Sequence, residues 1–433
     1  LYLQTTAGGF DKKAVPLFNQ FADFEDVAVA FLDYDKDGDA DLLVCPGGNN
    51  RPVNSRELQL RLYVNDGKAN FTINTNAFPN MNVDVAVAAV NDINADGYPD
   101  IFIGARNYPG IYGKDPQSYI FINDGKGRFT DLAATHNKDI AFIGMVTDAL
   151  WADMDGDNKN ELIIVGEWMS PRIFSFTNNH FVEIQNSLTK LYGWWQSVAA
   201  ADINNDGKKD LILGNIGENF YLSPTPETPA KLWINDFDNN GDLDKIISYT
   251  IDGKDKPVFL KSEIQDQLPS IKKNSLHHKE YAQKSVQELF EPEKIAAAVV
   301  KQFNYSSSII AINNGKGNFT VNPLPVMSQL SCINAILPVD VNADGYIDLV
   351  MGGNQFGFLP QFEKLDGSFG ELLINNRQSD FKWIENKQSG LNMRGEMRDI
   401  KAINQKQQQQ ILFLQNNDYP VLYRLNKNSL PNN

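Results

Sequence analysis

An acidic nine-residue segment occurs six times in this chain. Each copy has Asp at position one, Asp or Asn at positions three and five, and an acid at position nine. Position six is Gly in five copies and Asn158 in the other. The copies begin at Asp33, Asp92, Asp153, Asp202, Asp236 and Asp340. Self-similarity at this spacing predicts an array of repeated structural units.

The spacing of the acids indicates a site for a hard cation. Oxygens at positions one, three and five converge when the chain curls around an ion, and position six must then turn sharply, often at positive φ. Position seven offers its backbone carbonyl, and the position-nine acid closes the shell. Six to eight oxygen ligands suit Ca²⁺ better than Mg²⁺, which prefers a strict octahedron.

A solvated turn explains one such loop equally well, but six copies with a fixed ninth acid favour metal. Three or four carboxylates in one loop also repel one another unless a cation is bound. We therefore predict up to six structural Ca²⁺ ions. The predicted ligands are Asp33, Asp35, Asp37, Asp39, Asp41; Asp92, Asn94, Asp96, Tyr98, Asp100; Asp153, Asp155, Asp157, Lys159, Glu161; Asp202, Asn204, Asp206, Lys208, Asp210; Asp236, Asp238, Asn240, Asp242, Asp244; and Asp340, Asn342, Asp344, Tyr346, Asp348.

The flanking sequence predicts strands on both sides of each loop. An EF-hand needs Glu at position twelve and two helices, and a dockerin-type module continues into a helix. Here short apolar runs of strand type precede and follow the acids, as at 27–32 and 41–45. A second segment, with Asn or Asp and Gly between apolar runs, recurs at 62–72, 119–130 and 309–320 and predicts tight hairpins. Each unit then reads as a four-stranded antiparallel blade.

These units predict an all-β fold, a seven-bladed β-propeller formed by residues 1–433 as one domain. The seventh inner strand lies at 398–404, and its loop, 405–410, lacks acids, so no metal is predicted there. Residues 1–6 are expected to close the ring on the last blade. A small helical insertion is predicted at 254–306, as a cap on the propeller or as a lid or partner surface.

The acidic loops and the Asn-Asp-Gly-Lys-Gly-x-Phe turns resemble FG-GAP/VCBS repeats. This family forms the calcium-binding propeller of integrin α-subunit heads and of many bacterial secreted proteins. The segment from 232 to 349 resembles VCBS-repeat surface proteins of Bacteroidetes. The departures are Asn158, Glu161, Asn240 and the acid-free seventh loop. The resemblance implies a propeller, calcium and an extracellular, cell-surface or periplasmic location, but no single activity. Extracellular calcium modules bind at roughly 10⁻⁴ to 10⁻³ M, which suits that location.

Antiparallel connections place the loops between the second and third strands on the face opposite the acidic loops. Aromatic side chains with Arg around a central depression suit a protein or carbohydrate ligand. The alternative is that these aromatics complete the core. The candidate ligand-binding residues are Arg51, Arg106, Tyr108, Trp168, Trp194, Trp195 and Phe356.

The net charge and the recognised motifs limit the classes of function that this chain can have. The formal charge of -15 disfavours nucleic acid as a partner, and the sequence predicts no transmembrane segment. We expect a signal peptide or anchor to be absent from these residues. No catalytic residue is assigned, because no nucleophile, phosphate-binding or metalloprotease motif is recognised. The first hypothesis is a calcium-stabilised binding module for a protein or glycan. The alternatives are a polysaccharide-active lyase or hydrolase, and an architectural segment of a larger surface protein.

Overall fold

The computed structural model describes residues 1–5, 9–133, 137–274, 277–362, 364–377, 379–405 and 408–425. Most of the regular structure in these residues is β-strand. The first seventeen strands are β1 Tyr2–Gln4, β2 Phe10–Lys12, β3 Asp26–Leu32, β4 Asp41–Pro46, β5 Arg61–Asn65, β6 Phe71–Asn74, β7 Asp84–Asn91, β8 Asp100–Asn107, β9 Tyr119–Asn123, β10 Phe129–Asp131, β11 Met145–Ala152, β12 Glu161–Met169, β13 Arg172–Thr177, β14 His180–Glu183, β15 Gly193–Trp194, β16 Ser197–Ala201 and β17 Asp210–Gly214.

The remaining strands are β18 Ala230–Asn235, β19 Asp244–Ile251, β20 Lys254–Pro257, β21 Val299–Phe303, β22 Ile309–Asn313, β23 Phe319–Pro323, β24 Ile333–Val339, β25 Asp348–Gly353, β26 Glu371–Asn375, β27 Phe381–Ile384, β28 Met397–Gln405, β29 Gln408–Gln415 and β30 Val421–Arg424. The α-helices are short: Lys138–Ala141, Lys261–Gln267, Ile271–Asn274, His278–Gln283, Val286–Leu289, Pro292–Ala297 and Asn386–Ser389. Short 3₁₀ turns lie at Pro16–Phe21, Arg56–Leu58, Ser187–Lys190, Val326–Gln329 and Pro360–Phe362. Among the described residues, no helix has the length and apolar character needed to cross a membrane.

Six antiparallel sheets follow one another along the chain, and we call them ring sheets one to six. They are β3–β6, β7–β10, β11–β14 with β15, β16-β17-β22-β23, β24–β27 and β28–β30. The innermost strands β3, β7, β11, β16, β24 and β28 contact one another in that order. Five separate apolar clusters lie between successive sheets. This stacking of small sheets about a common set of inner strands is a β-propeller arrangement, as predicted.

The predicted hairpins are confirmed. The strands on either side of each Asn-Gly turn pair antiparallel, with β5 on β6, β9 on β10 and β22 on β23. Side chains of these strands alternate between the two neighbouring apolar clusters, because successive residues of a strand point to opposite faces. The local part of the blade prediction therefore holds.

One predicted blade is wrong. The acidic loop that begins at Asp236 connects β18 to β19, and these strands belong to a sheet of order β20-β19-β18-β21. This inserted sheet lies in the chain between β17 and β22, which are themselves neighbours in ring sheet four. It is therefore an insertion within a blade and not a blade of its own. Within the part of the chain that the structure describes, the eight sheets do not form a closed ring of seven four-stranded blades.

The insertion is larger than predicted and only partly helical. Residues 215–308 separate β17 from β22, and β20 and β21 are strands that fall inside the predicted helical range 254–306. Its helices, between 261 and 297, pack on the inserted sheet around Trp233, Phe237 and Ile246. The pairing of β18 with β21 holds the two ends of the insertion together, and β19 pairs on the other side of β18.

The predicted closing strand at 1–6 is also wrong in its partner. Within the described part of the chain, β1 pairs only with β2, and β29 pairs with β30 instead. The acid-free segment of the last sheet is a hairpin between β28 and β29, and its residues 406–407 lie outside the described residues.

Candidate functional site

The six acidic loops share one local geometry, built from side-chain to backbone hydrogen bonds. In the second loop, Asp92 Oδ1 accepts the Asp96 N–H at 3.1 Å and Oδ2 accepts the Gly97 N–H at 2.8 Å. The position-one carboxylate of every other loop accepts two backbone N–H groups in the same region. Position one therefore fixes the curl of the loop.

Two residues of each loop have left-handed backbone conformation. Position six was predicted, and it ranges from φ 65° at Asn158 to φ 94° at Gly241. Position four was missed by the sequence argument, and it has φ 63° at Lys36 and φ 59° at Ala95. Residues with a Cβ are disfavoured there, so the surrounding hydrogen bonds impose the conformation.

The position-nine acids are almost completely buried. Asp100 is 0% exposed, and its two oxygens accept the N–H groups of Ile93, at 3.0 Å, and Asn123, at 2.8 Å. Asp41, Asp210 and Asp348 make the equivalent pair of bonds. In these four loops the ninth acid thus ties the acidic loop to the third strand of its own sheet, a role that the spacing alone did not indicate.

Carboxylate oxygens converge in three of the loops, within 4.8 Å of one another. The groups are Asp33, Asp35 and Asp37; Asp153, Asp155 and Glu161; and Asp236, Asp238 and Asp244. In the other three loops position three is Asn, whose amide oxygen accepts the N–H of position five. The donor sets are therefore all oxygen and include ionisable carboxylates, which fits calcium and does not fit soft metals.

The first loop shows the clearest need for a cation. Asp35 Oδ1 and Asp39 Oδ1 are buried and have no hydrogen-bond partner among the described residues. A buried carboxylate oxygen without a partner is costly, and a bound cation would satisfy it. Burial also raises the pKa of Asp41, Asp100, Asp244 and Asp348 to about 6 and that of Glu161 to about 7, with neighbouring carboxylates adding to the effect.

In three of the ring sheets, an asparagine at the end of the third strand links adjacent sheets. Asn123 Nδ2 donates to Tyr34 O in the acidic loop of the preceding sheet, at 2.8 Å, and to Pro99 O in its own sheet, at 3.2 Å. Asn313 makes the same pair of bonds, to the backbone carbonyls of Met154 and Lys209. Asn375 makes it to the backbone carbonyls of Ile203 and Ile347. From the sequence, these residues are predicted only to form tight turns. Their recurrence directly before the turn was the available signal.

Replacing Asn123 with Ala is expected to destabilise the protein by about 1–3 kcal/mol, because two buried carbonyl groups lose their donor. Asn65→Ala is the matched control. Both side chains also accept a turn N–H, but Asn65 Nδ2 donates to Ala40 O in its own sheet. The loss for Asn65→Ala should be smaller. Equal losses in urea denaturation would show that the link between sheets contributes nothing.

A second link joins ring sheets three and four through Asp148 on β11. Its oxygens accept the N–H groups of Ala149 and Val198, each at 2.9 Å. Burial raises the pKa of Asp148 to about 7, against the opposing effects of these bonds and of Lys401. Between about pH 4 and pH 7, Asp148 therefore keeps its proton in the folded state and has lost it in the unfolded state.

This shift predicts a pH dependence that Asp148→Asn removes. Because the folded state binds more protons in that interval, the free energy of unfolding falls as pH rises through it. In EDTA, the stability of Asp148→Asn relative to the unmodified chain should rise between about pH 5 and pH 8. Urea denaturation at both pH values measures this difference. A constant difference would contradict the assignment.

The opposite face is different from what the sequence predicted. The insertion leaves ring sheet four at Gly214, at the end of β17 remote from the acidic loops, and packs over this face. Trp168, Trp194 and Trp195 are 3%, 6% and 0% exposed. Trp168 and Trp194 contact each other, at 5.2 Å between ring centroids, and both contact Phe303 of the inserted strand β21. All three tryptophans are core residues. The inserted sheet and its flanking segments cover Trp168 and Trp194, whereas Trp195 packs in the cluster between ring sheets three and four.

The other predicted ligand residues have protein partners. Arg106 forms an ion pair with the buried Glu167, which also accepts the Tyr112 hydroxyl at 3.0 Å. Arg51 donates to Asp23 O at 2.9 Å, and Lys114 Nζ lies 3.7 Å from the Tyr108 ring centroid. Phe356 is half-buried, with Lys364 Nζ 5.5 Å from its ring centroid. The sequence did not single out Glu167 or Tyr112. Glu167 nevertheless binds both Arg106 and the Tyr112 hydroxyl and so connects these side chains.

Comparison with known proteins supports the repeat assignment. A family model described as FG-GAP-like repeat matches residues 92–164 and 153–213. No curated protein matches the chain. Among solved structures, the chain is similar to the biofilm matrix protein Bap1 of V. cholerae, with 8% identity, 93% of this chain and 77% of that chain covered, and a TM-score of 0.36.

Two further solved structures have comparable similarity. Sqt1 of Saccharomyces cerevisiae has 9% identity, with 90% of this chain and 85% of that chain covered and a TM-score of 0.38. The Dos1 propeller has 9% identity, with 98% of this chain and 81% of that chain covered and a TM-score of 0.41.

Proposed function

We propose that this chain, which carries FG-GAP-like repeats at 92–164 and 153–213, is a calcium-stabilised binding module of the β-propeller type that acts outside the cell or at its surface. The observation that carries the proposal is the double use of the acids in the first loop. Asp33 and Asp41 hold the backbone by hydrogen bonds, while oxygens of Asp33, Asp35 and Asp37 lie within 4.8 Å of one another. A metal at that point would stabilise the fold and would not need to touch a substrate.

Up to six calcium ions would be held by the position-one, three, five and nine side chains and the position-seven carbonyls of the six loops. A bound ion would supply positive charge that offsets the repulsion of clustered carboxylates. Five of these loops lie in the ring sheets and the sixth, at Asp236–Asp244, lies in the inserted sheet, where Lys294 Nζ donates to Asn239 Oδ1 at 2.6 Å. We also place seven sheets in the complete ring, the seventh containing β1 and β2.

The ligand surface that we propose lies beside the insertion, on the face opposite the acidic loops. Tyr221 stacks on Phe362 at 4.2 Å between ring centroids, and Phe259 lies 5.6 Å from Phe362. Leu359 and Leu260 are 50% and 63% exposed at the edge of this group. Half-buried aromatic rings with exposed apolar neighbours suit a sugar face or an apolar peptide side chain.

A glycan array and a panel of extracellular matrix proteins, each probed in calcium, test the proposal. Binding should depend on Phe362, so Phe362→Ala should abolish it, while Phe142→Ala, at an exposed Phe of 57% exposure elsewhere, should not change it. No binding to either panel would favour the architectural alternative and contradict a binding module.

The enzyme alternative is tested by product assays on acidic polysaccharides. An open cleft of about 340 Å³ on ring sheet three is lined in part by Arg172, His180 and Glu183. Both Glu183 oxygens accept N–H groups of Arg172, so this carboxylate is engaged in an ion pair and is not available as a base. Cleavage of any polysaccharide would overturn the binding-only proposal.

A further inference from the structure

Ring sheet one has an uncovered apolar face on its innermost strand. Val27, Val29 and Phe31 of β3 are 51%, 61% and 61% exposed, whereas Leu32 packs into the cluster shared with ring sheet two. The outer strands of the same face are covered by the 3₁₀ segment Pro16–Phe21, in which Phe18 and Phe21 contact Tyr63. The uncovered area is therefore confined to the position where a neighbouring inner strand would pack.

The hairpin β1–β2 lies where the outer half of a further sheet would lie. Directly after β2, Lys13 Nζ donates to Lys68 O, at 2.6 Å, in the Asn-Gly turn of ring sheet one. The end of the fourth strand of ring sheet one contacts the turn of ring sheet two in the same manner, through Asn74 Nδ2 and Gly127 O at 2.8 Å. By this contact β2 takes the position of a fourth strand, and β1 that of a third strand.

The strand that should flank β1 is missing from the described residues. Third strands of ring sheets pair with a second strand, as β5 does with β4 and β9 with β8. Among the described residues β1 pairs only with β2. Asn65 of ring sheet one points to the same missing strands. Its Nδ2 donates to Ala40 O of its own sheet, whereas Asn123 Nδ2 also donates to an acidic loop of the preceding sheet.

We propose that two inner β-strands from outside this 433-residue sequence occupy this position and complete a four-stranded sheet with β1 and β2. The proposal rests on the β-propeller assignment made above. The occupant is a β-hairpin with alternating apolar residues and an acidic turn. Its backbone pairs with the free edge of β1, its apolar face covers Val29 and Phe31, and a turn carbonyl accepts from Asn65 Nδ2. Edge pairing plus side-chain packing is an established mode of peptide recognition.

Continuity with the existing interfaces supports this occupant over a second copy of the chain. Each of the five inter-sheet clusters of the ring is formed by apolar inner strands. The face of ring sheet six that is remote from ring sheet five presents Lys401 and Asp399 on β28, with side chains 66% and 42% exposed. Those charges do not complement Val29 and Phe31, so a head-to-tail contact between copies would bury charge against apolar surface.

The probe is a fluorescently labelled peptide with the sequence of residues 84–107, which is the inner hairpin of ring sheet two. Titration of the peptide with the intact protein in calcium should give saturable binding by fluorescence anisotropy. The double substitution Val29→Lys with Phe31→Lys should weaken binding at least about tenfold, because both side chains lose their apolar contact. Val182→Lys, at a valine 54% exposed on β14, is the matched control and should leave binding unchanged.

Hydrogen exchange gives a second readout that does not depend on the lysine variants. Leu1 and Thr5 bond to the β2 side, so the N–H groups of Tyr2 and Gln4 point to the free edge of β1. Peptide binding should protect these two amides, and Gln4→Pro, which removes one of them, should weaken binding while the calcium response is kept. Absence of saturable binding, or binding that the double variant does not weaken, would overturn the proposal. A dimer that the double variant dissociates would overturn it in favour of a second copy. Each result is separate from the calcium response of the unmodified chain, which tests the proposed function.

Discussion

Removing calcium is expected to lower the unfolding midpoint of this protein by more than about 10 °C. A site with a dissociation constant near 10⁻⁴ M contributes about 2.7 kcal/mol when free calcium is a hundredfold higher, and several such sites add. The measurement is thermal unfolding in about 10 mM calcium and in excess EDTA at neutral pH. The ring sheets should respond together, because each sheet packs on the next.

Magnesium at the same concentration is the control for ionic strength. It should recover only a small part of the lost stability, since it prefers strict octahedral coordination and keeps its waters. An EDTA curve that coincides with the calcium curve would mean that the loops are held by their backbone hydrogen bonds alone.

Truncation of one buried position-nine acid is expected to have the second largest effect. Asp100→Ala leaves the N–H groups of Ile93 and Asn123 without an acceptor and removes a proposed calcium ligand. At about 1–3 kcal/mol for each of the two unsatisfied groups, the expected loss is about 2–6 kcal/mol. Asp100→Asn, which keeps an acceptor oxygen, should lose less stability but should still lose part of the calcium response.

Asp244→Ala provides the matched control in the inserted sheet. Asp244 accepts the Phe237 N–H at 2.9 Å, in a loop of the same sequence type. Its loss should increase hydrogen exchange in β18, β19 and β21, while the inner strands of the ring keep their protection. If Asp244→Ala opened the ring as strongly as Asp100→Ala, the insertion would not be an independent sheet.

The acidic loops and hairpins were predictable because their determinants are local. The position-six glycines and Asn158 do have positive φ, and the Asn-Gly turns do join paired strands. These features depend on a few adjacent residues, which one sequence displays in full. The left-handed position four was missed because Lys36 and Ala95 carry no signal for that conformation. The buried role of Asp100 was missed because one of its partners, Asn123, lies on a strand distant in sequence.

The position of the Asp236 loop could not be predicted from its own sequence. It has the position-one and position-nine acids of the ring loops, with Asn240 in place of Asp at position five, and it is flanked by the same kind of apolar strands. What differs is the pairing of β17 with β22 across the intervening 94 residues, which is a non-local property. The insertion also explains why the predicted open ligand face is wrong at Trp168 and Trp194. These side chains are covered by a sheet that was predicted to be a blade of the ring.

Crystals grown in excess calcium would show any bound calcium in the anomalous difference map, at a wavelength where calcium scatters anomalously. We expect peaks in the acidic loops, each about 2.3–2.6 Å from carboxylate or carbonyl oxygens, with one peak in the inserted sheet and none beside the acid-free hairpin β28–β29. Loops that keep the hydrogen bonds described above but show no anomalous peak would contradict the proposed calcium binding.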